Sequence, residues 1–484
     1  MYTSKRFRVT RKNSLLYQYC KELSHNYKNM YNVTNFYIRQ VMTGIKKLSS
    51  ERQPNEKEVL GIIEQYLPKY NDVRKQTYIK KNNSDAGFEN VTFPTKEKWL
   101  LNVYTLDAVF KLSANPDYQS LPAQINTAAI SECCASWSDY FKALKKYKTA
   151  PDLFTGKPHI PKYLKSQHHT VKLTNQICKL YESENKTYLR FPKTKAKLWL
   201  GSYIPSDAAL KQIEIKSVAD FFEIILIIDE PGTVTAPKTD SERIIGIDLG
   251  IDNFAAITNN FGSPSIIVKG NVIKSYNQWY NKEAARLKSI LTKGHKSQKW
   301  QQSSKRIDNL WAKRERFFRD YMHKISTAVI HYCITNQVDT IVIGNTAGWK
   351  QNCNIGHKNN QSFVQMPYLA FINQLIYKAK PYGIRTFVRE ESYTSKASFL
   401  DMDYIPTYKP NDDTVHIFSG KRVKRGLYLS ADETKIHADI NGSANIIRKE
   451  FPDAFAKQNN ISYVKRTNTW KFEKWYISKT ASAV

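Results

Sequence analysis

Read from the N-terminus, the chain opens with residues 4–10, Ser-Lys-Arg-Phe-Arg-Val-Thr, which alternate like a short basic strand. Residues 13–47 then carry the spacing of a helix, and the Lys- and Asn-rich stretch 74–90 reads as a loop. After Pro122, which suits a first helical turn, Ile130, Cys133, Trp137, Phe141 and Leu144 recur at three- and four-residue intervals and predict a strong amphipathic helix. Phe154-Thr-Gly-Lys-Pro-His-Ile-Pro-Lys-Tyr163 ends it. From 165 to 235 the period shortens to that of strands, including 186–191, 213–216 and 221–228, which predicts a small antiparallel barrel or sheet. Pro231-Gly232 and Pro237 form a hinge.

Beyond the hinge, the apolar run Ile244-Ile-Gly-Ile-Asp-Leu-Gly250 is followed at once by 253–258 and then 265–268, the pattern of a three-stranded meander. A basic helical pair broken at Gly294-His295 comes next. Its second helix places Ile307, Leu310, Trp311, Phe317, Tyr321, Ile325 and Val329 on one face. Strand 340–343, helix 369–380, strand 384–388 and a helix near 440–450 complete the chain. Meander, helix, then strand–helix–strand–helix is the element order of the ribonuclease H-like fold. No internal repeat or low-complexity tract interrupts it.

Charge narrows the partners. The 484 residues hold 74 Lys and Arg against 43 Asp and Glu, a formal net charge of +31. Such an excess attracts polyanions, so nucleic acid is the expected partner. Residues 1–50 carry ten basic residues and one acid, Glu22, and residues 271–330 carry fourteen against four. Many of the 30 tyrosines lie among the cations, a mixture suited to stacking on unpaired bases, although most are expected to pack between helices. No run approaches the roughly 18 apolar residues of a membrane span, so an intracellular, cytoplasmic protein without a membrane partner is expected. The six cysteines include no C-x-x-C pair and predict reduced thiols rather than disulfides or zinc.

Asp248 is the most informative residue. An ionised carboxylate at the end of an apolar strand needs a partner, typically a metal ion or a phosphate-bearing ligand. Hydrolysis of a phosphodiester by two divalent ions needs several such carboxylates at one end of a sheet. On the expected elements the candidates are Asp248, then Glu391 or its neighbour Glu390 after strand 384–388, and Asp439 at the start of the last helix.

These residues lie in segments that resemble a known family. Gly246-Ile-Asp-Leu-Gly250, Glu391-Ser-Tyr-Thr-Ser-Lys396 and Ala438-Asp-Ile-Asn-Gly-Ser-Ala-Asn-Ile446 look like the three RuvC motifs of the TnpB family. These are transposon-associated, RNA-guided DNA endonucleases related to type V CRISPR effectors and the Fanzor proteins. Leu121-Pro-Ala-Gln124, the Trp137 helix and 156–163 extend the resemblance upstream. Two departures stand out. Gly344, after Ile341-Val-Ile, occupies the place of the family's usual second acid, and Glu391 holds the position seen in rearranged members. The zinc-ribbon cysteines are missing, since no cysteine follows Cys353. The 398–436 segment, with Lys421-Arg-Val-Lys-Arg425, is therefore expected to be a metal-free basic loop touching nucleic acid.

The resemblance implies a multidomain α+β protein. Residues 1–10 and 152–242 would form a wedge-like antiparallel β-barrel, 11–151 a helical recognition domain, and 243–484 a ribonuclease H-like (RuvC) α/β nuclease domain with a helical insertion at 271–335. It further implies an RNA-guided DNA endonuclease, favoured as a monomer. Its partners would be a guide RNA and target double-stranded DNA. Asp248, Glu391 and Asp439 would bind two Mg2+ ions, no zinc is expected, and Lys5, Arg6, Arg8, Arg39, Lys313 and Arg316 are candidates for nucleic-acid contact. The rival readings are a nuclease-inactive RNA-guided DNA binder, a sugar-kinase-like ATPase, which lacks the needed glycine-rich phosphate loops, and an RNA-independent transposase.

Overall fold

The computed structural model describes residues 2–201, 204, 208–230, 235–236, 242–292, 303–345, 366–407, 414–456 and 461–472. The chain divides into two compact units, Met1–Pro231 and Gly232–Val484. The expected break at Gly294-His295 lies outside the described residues.

The first unit runs β1 (Tyr2–Val9), α1 (Ser14–Gly44), α2 (Pro54–Asn82), α3 (Val103–Leu112), α4 (Pro116–Gln119) and α5 (Ala123–Thr149). It continues with β2 (Val171–Thr174), β3 (Lys179–Ser183), β4 (Lys186–Arg190), β5 (Lys197–Trp199), β6 (Ala209–Val218) and β7 (Phe221–Asp229). Where a barrel or sheet was expected, the hydrogen bonds build two open antiparallel sheets among the described residues, β1-β7-β6-β2 and β3-β4-β5.

Asn13 caps α1 by accepting the Leu16 amide, and the helix buries Leu16, Cys20, Leu23, Tyr27 and Met30 at helical spacing. Trp137 on α5 is fully buried and donates its indole N–H to Asn35 at 2.9 Å. Asn35 in turn donates to the Pro161 carbonyl, and Asn32 exchanges hydrogen bonds with the backbone of Leu164. The 156–163 segment is thus strapped to α1. The stretch expected to be a loop from residue 74 stays helical as far as Asn82. Its arginine, lysines and single glutamine are good helix formers on an exposed face, and the helix stops only where Asn83 turns left-handed at φ 53°.

The second unit runs β8 (Ile244–Leu249), β9 (Asn253–Asn259), β10 (Ser265–Lys269), α6 (Asn271–Thr292), α7 (Lys305–Thr335), β11 (Thr340–Gly344) and α8 (Tyr368–Ala379). After these come β12 (Arg385–Arg389), the short β13 (Lys421–Lys424), β14 (Leu427–Leu429) and β15 (Lys435–His437), α9 (Ala438–Glu450) and β16 (Thr467–Trp470). Its main sheet has the order β12-β11-β8-β9-β10-β16. β8, β9 and β10 form the antiparallel meander, β11 and β12 add in parallel beside β8, and β16 pairs in parallel with β10.

The two faces of the sheet are covered by different elements. Ile245, Ile247 and Leu249 join α7 and α8 in one core, whereas Ile244 packs with α9 in another. Gly246 lies under α9, where a Cβ would come within 2.6 Å of Ile447 Cγ1, and Ser443 donates to its carbonyl at 2.8 Å. Only glycine admits α9 this close to the central strand. On α7 the buried stripe includes Phe318, Tyr321, Ile325 and Val329, while Trp311, expected on that face, is exposed.

Candidate active site

The central strand β8 carries Asp248 as its penultimate residue, and α9 lies across that end. β12 runs parallel to β11 and carries the chain past Gly344 to Glu390 and Glu391. Asp248, Glu391 and Asp439 line one cavity of ≈ 720 Å³, together with Asp252, Asn253, Lys269, Arg422 and Arg425. Three acids far apart in sequence therefore line one cavity because three elements converge at one end of the sheet.

Their environments differ. The Asp248 carboxyl is pushed well above the usual carboxylate range, first by burial and then by the negative charges of Glu391 and Asp439. Glu391 is pushed up to about 7 by burial, with the Glu390 charge adding to it and Lys449 opposing. Its Oε2 is buried and has no hydrogen-bond partner. Such an orphaned oxygen beside two further acids is a site short of positive charge. Glu390 is the opposite case. Burial would raise its pKa, but Lys449 Nζ at 2.6 Å and the Ser392 amide at 2.6 Å hold it below the usual range.

Asp439 sits in the first turn of α9, where the helix dipole favours a carboxylate, and its amide is capped by His437. Its Oδ2 accepts from Asn253 at 2.8 Å, and its Oδ1 faces Arg422 Nη2 at 3.3 Å. Arg425 pairs with Asp252 at 2.7 Å, and Lys274 bonds the same carboxylate. The basic segment expected to be a loop is thus a hairpin, β13–β14, whose arginines reach the acids.

The remaining polar residues of α9 set the geometry. Asn445 donates to the carbonyls of Thr394 and Ala397, and Asn441 bonds the Ala397 carbonyl and the Phe399 amide. Thr394 turns its hydroxyl back onto the Glu391 carbonyl at 2.8 Å. Asp439 and Ser443 share one helical face toward β8, while Asn441 and Asn445 share the next, toward 394–399. The alternating Asp-Ile-Asn-Gly-Ser-Ala-Asn spacing carried that signal as two i, i+4 pairs. Nothing in the sequence pointed to Asn253.

The candidate nucleic-acid residues are largely engaged within the fold. Lys5 pairs with Glu230 at 3.0 Å, Arg6 with Glu223 at 3.2 Å, and Arg8 lies over the Phe221 ring. Arg39 covers Tyr163 and bonds the Pro161 carbonyl. Lys313 stands over Trp279, and Arg316 is half-buried near Tyr276. Cations on a strand facing acids pair locally, which charge counting along the chain cannot see.

Oxygen donors of this kind suit a hard divalent cation, and the orphaned Glu391 oxygen fits one. As they stand, however, no three His, Cys, Asp or Glu side chains among the described residues form a group that could hold a metal ion. Asn253 and Arg422 occupy the Asp439 carboxylate.

Residues 226–350 match the OrfB_IS605 family, described as a probable transposase. A TnpB-like protein, ORF457 of Acidianus two-tailed virus, is 21% identical over 274 residues, 56% of this chain. The likeness is to the TnpB family. The chain matches only about half of that viral relative, 53% of its length. Among solved structures, a Cas12f1–sgRNA–target DNA complex is 15% identical with a TM-score of 0.46, covering 92% of this chain and 98% of that one. C2c1 of Alicyclobacillus acidoterrestris bound to single-guide RNA is 8% identical with a TM-score of 0.34, covering 86% of this chain and 69% of that one. No described helix is long and apolar enough to cross a membrane.

Proposed function

We propose that the chain is an RNA-guided DNA endonuclease whose second unit is a ribonuclease H-like (RuvC) nuclease. The observation that carries this is the convergence of Asp248, Glu391 and Asp439 on one cavity, with a buried Glu391 oxygen left without a partner. The order β12-β11-β8-β9-β10, a meander with two parallel strands added beside its first member, supports the fold.

The three acids would hold two magnesium ions, which when bound supply an activated water and a charge opposite the leaving oxygen. The protein's own part is positioning. Asn441 and Asn445 fix the Glu391 turn, Ser443 and Gly246 seat α9 on the central strand, and Asn253 orients Asp439. Lys269 and Arg425 on the cavity wall would draw in a phosphodiester backbone. Arg422, beside Asp439 Oδ1 at 3.3 Å, would compete with a cation for that carboxylate.

In this reading a guide RNA selects the target by base pairing, and the protein reads a short flanking DNA motif and the shape of the heteroduplex. The β1–β7 pairing supports a wedge-like part made of residues 1–10 and 152–242, with 11–151 as a helical recognition part. The protein would act as a monomer in the prokaryotic cytosol or nucleoid. A second reading, a nuclease-inactive RNA-guided binder, is favoured by the arginine already seated on Asp439.

The purified ribonucleoprotein, given matched target DNA and magnesium, separates the two. Cleavage that Asp248→Ala abolishes, with RNA binding retained, is the expected result. Stable target binding without any cutting favours the inactive binder.

A further inference from the structure

The sheet β3-β4-β5 has two unlike faces. Leu189 and Leu198 are buried beneath it, and Leu180 lies with them. On the outer face the strand register aligns residues into rows. Tyr181 pairs with Tyr188, and Tyr188 with Trp199, giving three aromatic side chains side by side across three strands. Lys179, Arg190 and Lys197 form the adjoining row, and Ser183 and Lys186 form the next pair on the other side.

Trp199 is 59% exposed, the most exposed tryptophan among the described residues. The Tyr181 and Tyr188 rings lie 5.7 Å apart at an interplanar angle of 25°, and Lys197 Nζ stands 4.6 Å over Tyr188. The basic row continues into a cavity of ≈ 630 Å³ edged by Lys179, Arg190, Lys193 and Lys195. Lys193 donates to the Leu121 carbonyl, and among the described residues none of Lys179, Arg190, Lys195 and Lys197 has a carboxylate partner.

We infer that this face binds an unpaired stretch of RNA, its bases on the aromatic row and its phosphates along the basic row and into the adjoining cavity. Trp199 is open, while Tyr181 and Tyr188 are half-buried and stack on each other, so the row offers room for about one or two bases. A duplex hides its base faces and would use only the cations. A protein partner would have to be acidic enough to meet the cationic row and cavity, yet present flat rings to the row between. RNA satisfies both, and the Ser183 and tyrosine hydroxyls supply groups that bond a ribose 2′-OH. Lys197, now over Tyr188, would swing to the phosphate as a base takes its place. This inference rests on the RNA part of the proposed function and is independent of the nuclease centre.

The test uses the full chain, stripped of RNA and held in EDTA at fixed salt. Its probes are a fluorescein-labelled 12-mer of oligouridylate, the oligothymidylate of the same length, and a 12-base-pair RNA duplex. Trp199→Ala and Tyr188→Ala are each expected to weaken oligouridylate binding roughly tenfold, with Trp199→Phe restoring most of it. Arg190→Ala should weaken binding and flatten its salt dependence. Because Trp199 is exposed, its variants should keep the wild-type melting temperature, and 4-thiouridine crosslinks should map to β4 or β5. Binding unchanged by the aromatic variants, or absent in the wild type, overturns the site. Tighter binding of oligothymidylate or of the duplex overturns the assignment to unpaired RNA. None of these outcomes alters the cleavage test of Asp248.

Discussion

The carboxylate of Glu391 occupies the space into which a side chain on Gly344 would grow: a Cβ built there lies 2.6 Å from Glu391 Oε2. Gly344 ends β11 opposite Arg389, the last residue of the parallel strand β12, and Glu391 follows two residues later, so the two positions lie side by side at one end of the sheet. Ile446 Cδ1 bounds the same space at 2.5 Å. The absence of a side chain at Gly344 is therefore what leaves room for the Glu391 carboxylate.

Gly344→Ala should accordingly displace the Glu391 carboxylate without removing it. DNA cleavage by the ribonucleoprotein is expected to fall about 10- to 100-fold, the usual effect of disturbing a group that orients a metal ligand. RNA binding should be unchanged. Pairing Gly344→Glu with Glu391→Ala moves the acid back to β11 and is expected to recover part of the lost rate. Full activity in Gly344→Ala would mean that Glu391 does not serve the cavity.

Adjacent glutamates that a linear reading leaves interchangeable are separated by their partners. Glu390 is committed to Lys449 and the Ser392 amide, whereas Glu391 keeps an oxygen free. Glu391→Gln should abolish cleavage while leaving thermal stability equal or higher, because it removes a buried like charge. Glu390→Gln should keep cleavage within about tenfold and lower stability by about 1–2 kcal/mol, a modest figure since Glu390 is partly exposed and its pair with Lys449 is screened. Calorimetry alongside a cleavage time course reads both. The reverse pattern would transfer the role to Glu390.

How far this site was readable in advance depended on whether each residue's meaning was local. The apolar strands β8 and β11 and the alternation of the meander are properties of short windows, so their order and the acids at their ends could be traced along the chain. Asp248, Glu391 and Asp439 stood out because a charge ended or entered an apolar element. Lys5, Arg6 and Arg39 did not declare their partners, since Glu230, Glu223 and Pro161 lie more than a hundred residues away. Nor could Arg422 be placed on Asp439, a pairing that depends on how the β13–β14 hairpin folds back. β16 joins the sheet beside β10 through a register that its own polar sequence, Thr-Asn-Thr-Trp, does not suggest.

Acid stability should depend on the junction between α1 and α2. Glu56 is buried; burial alone would raise its pKa, but hydrogen bonds from Lys47, Thr43 and the Gln53 amide, with the Lys47 charge, hold it at about 2. A carboxyl depressed in the folded state adds stability above its unfolded pKa, near 4.5, and loses it as pH falls toward 2. The shift alone corresponds to about 3 kcal/mol; with Lys47 partly exposed, about 2 kcal/mol is expected at neutral pH. Glu56→Gln should therefore speed hydrogen exchange in α2 at pH 7 and match the wild type near pH 2. An equal difference at both pH values would show that the effect is packing rather than charge.

If Asp439 binds a divalent cation as proposed, Arg422 and that cation would compete for one carboxylate. Arg422 Nη2 stands 3.3 Å from Asp439 Oδ1, while Asn253 holds the other oxygen at 2.8 Å and can remain. The arginine is partly exposed, so its pairing is worth at most about 1 kcal/mol, and removing it should tighten magnesium binding about 2- to 5-fold. Titration calorimetry on the full chain should show that gain for Arg422→Ala and near-complete loss for Asp439→Asn. The melting temperature should rise with magnesium in the wild type and in Arg422→Ala, but not in Asp439→Asn, because only a ligand that binds the folded state stabilises it. Weaker magnesium binding in Arg422→Ala would instead make the arginine a support of the site, and the hairpin would no longer be a competitor that substrate or metal must displace.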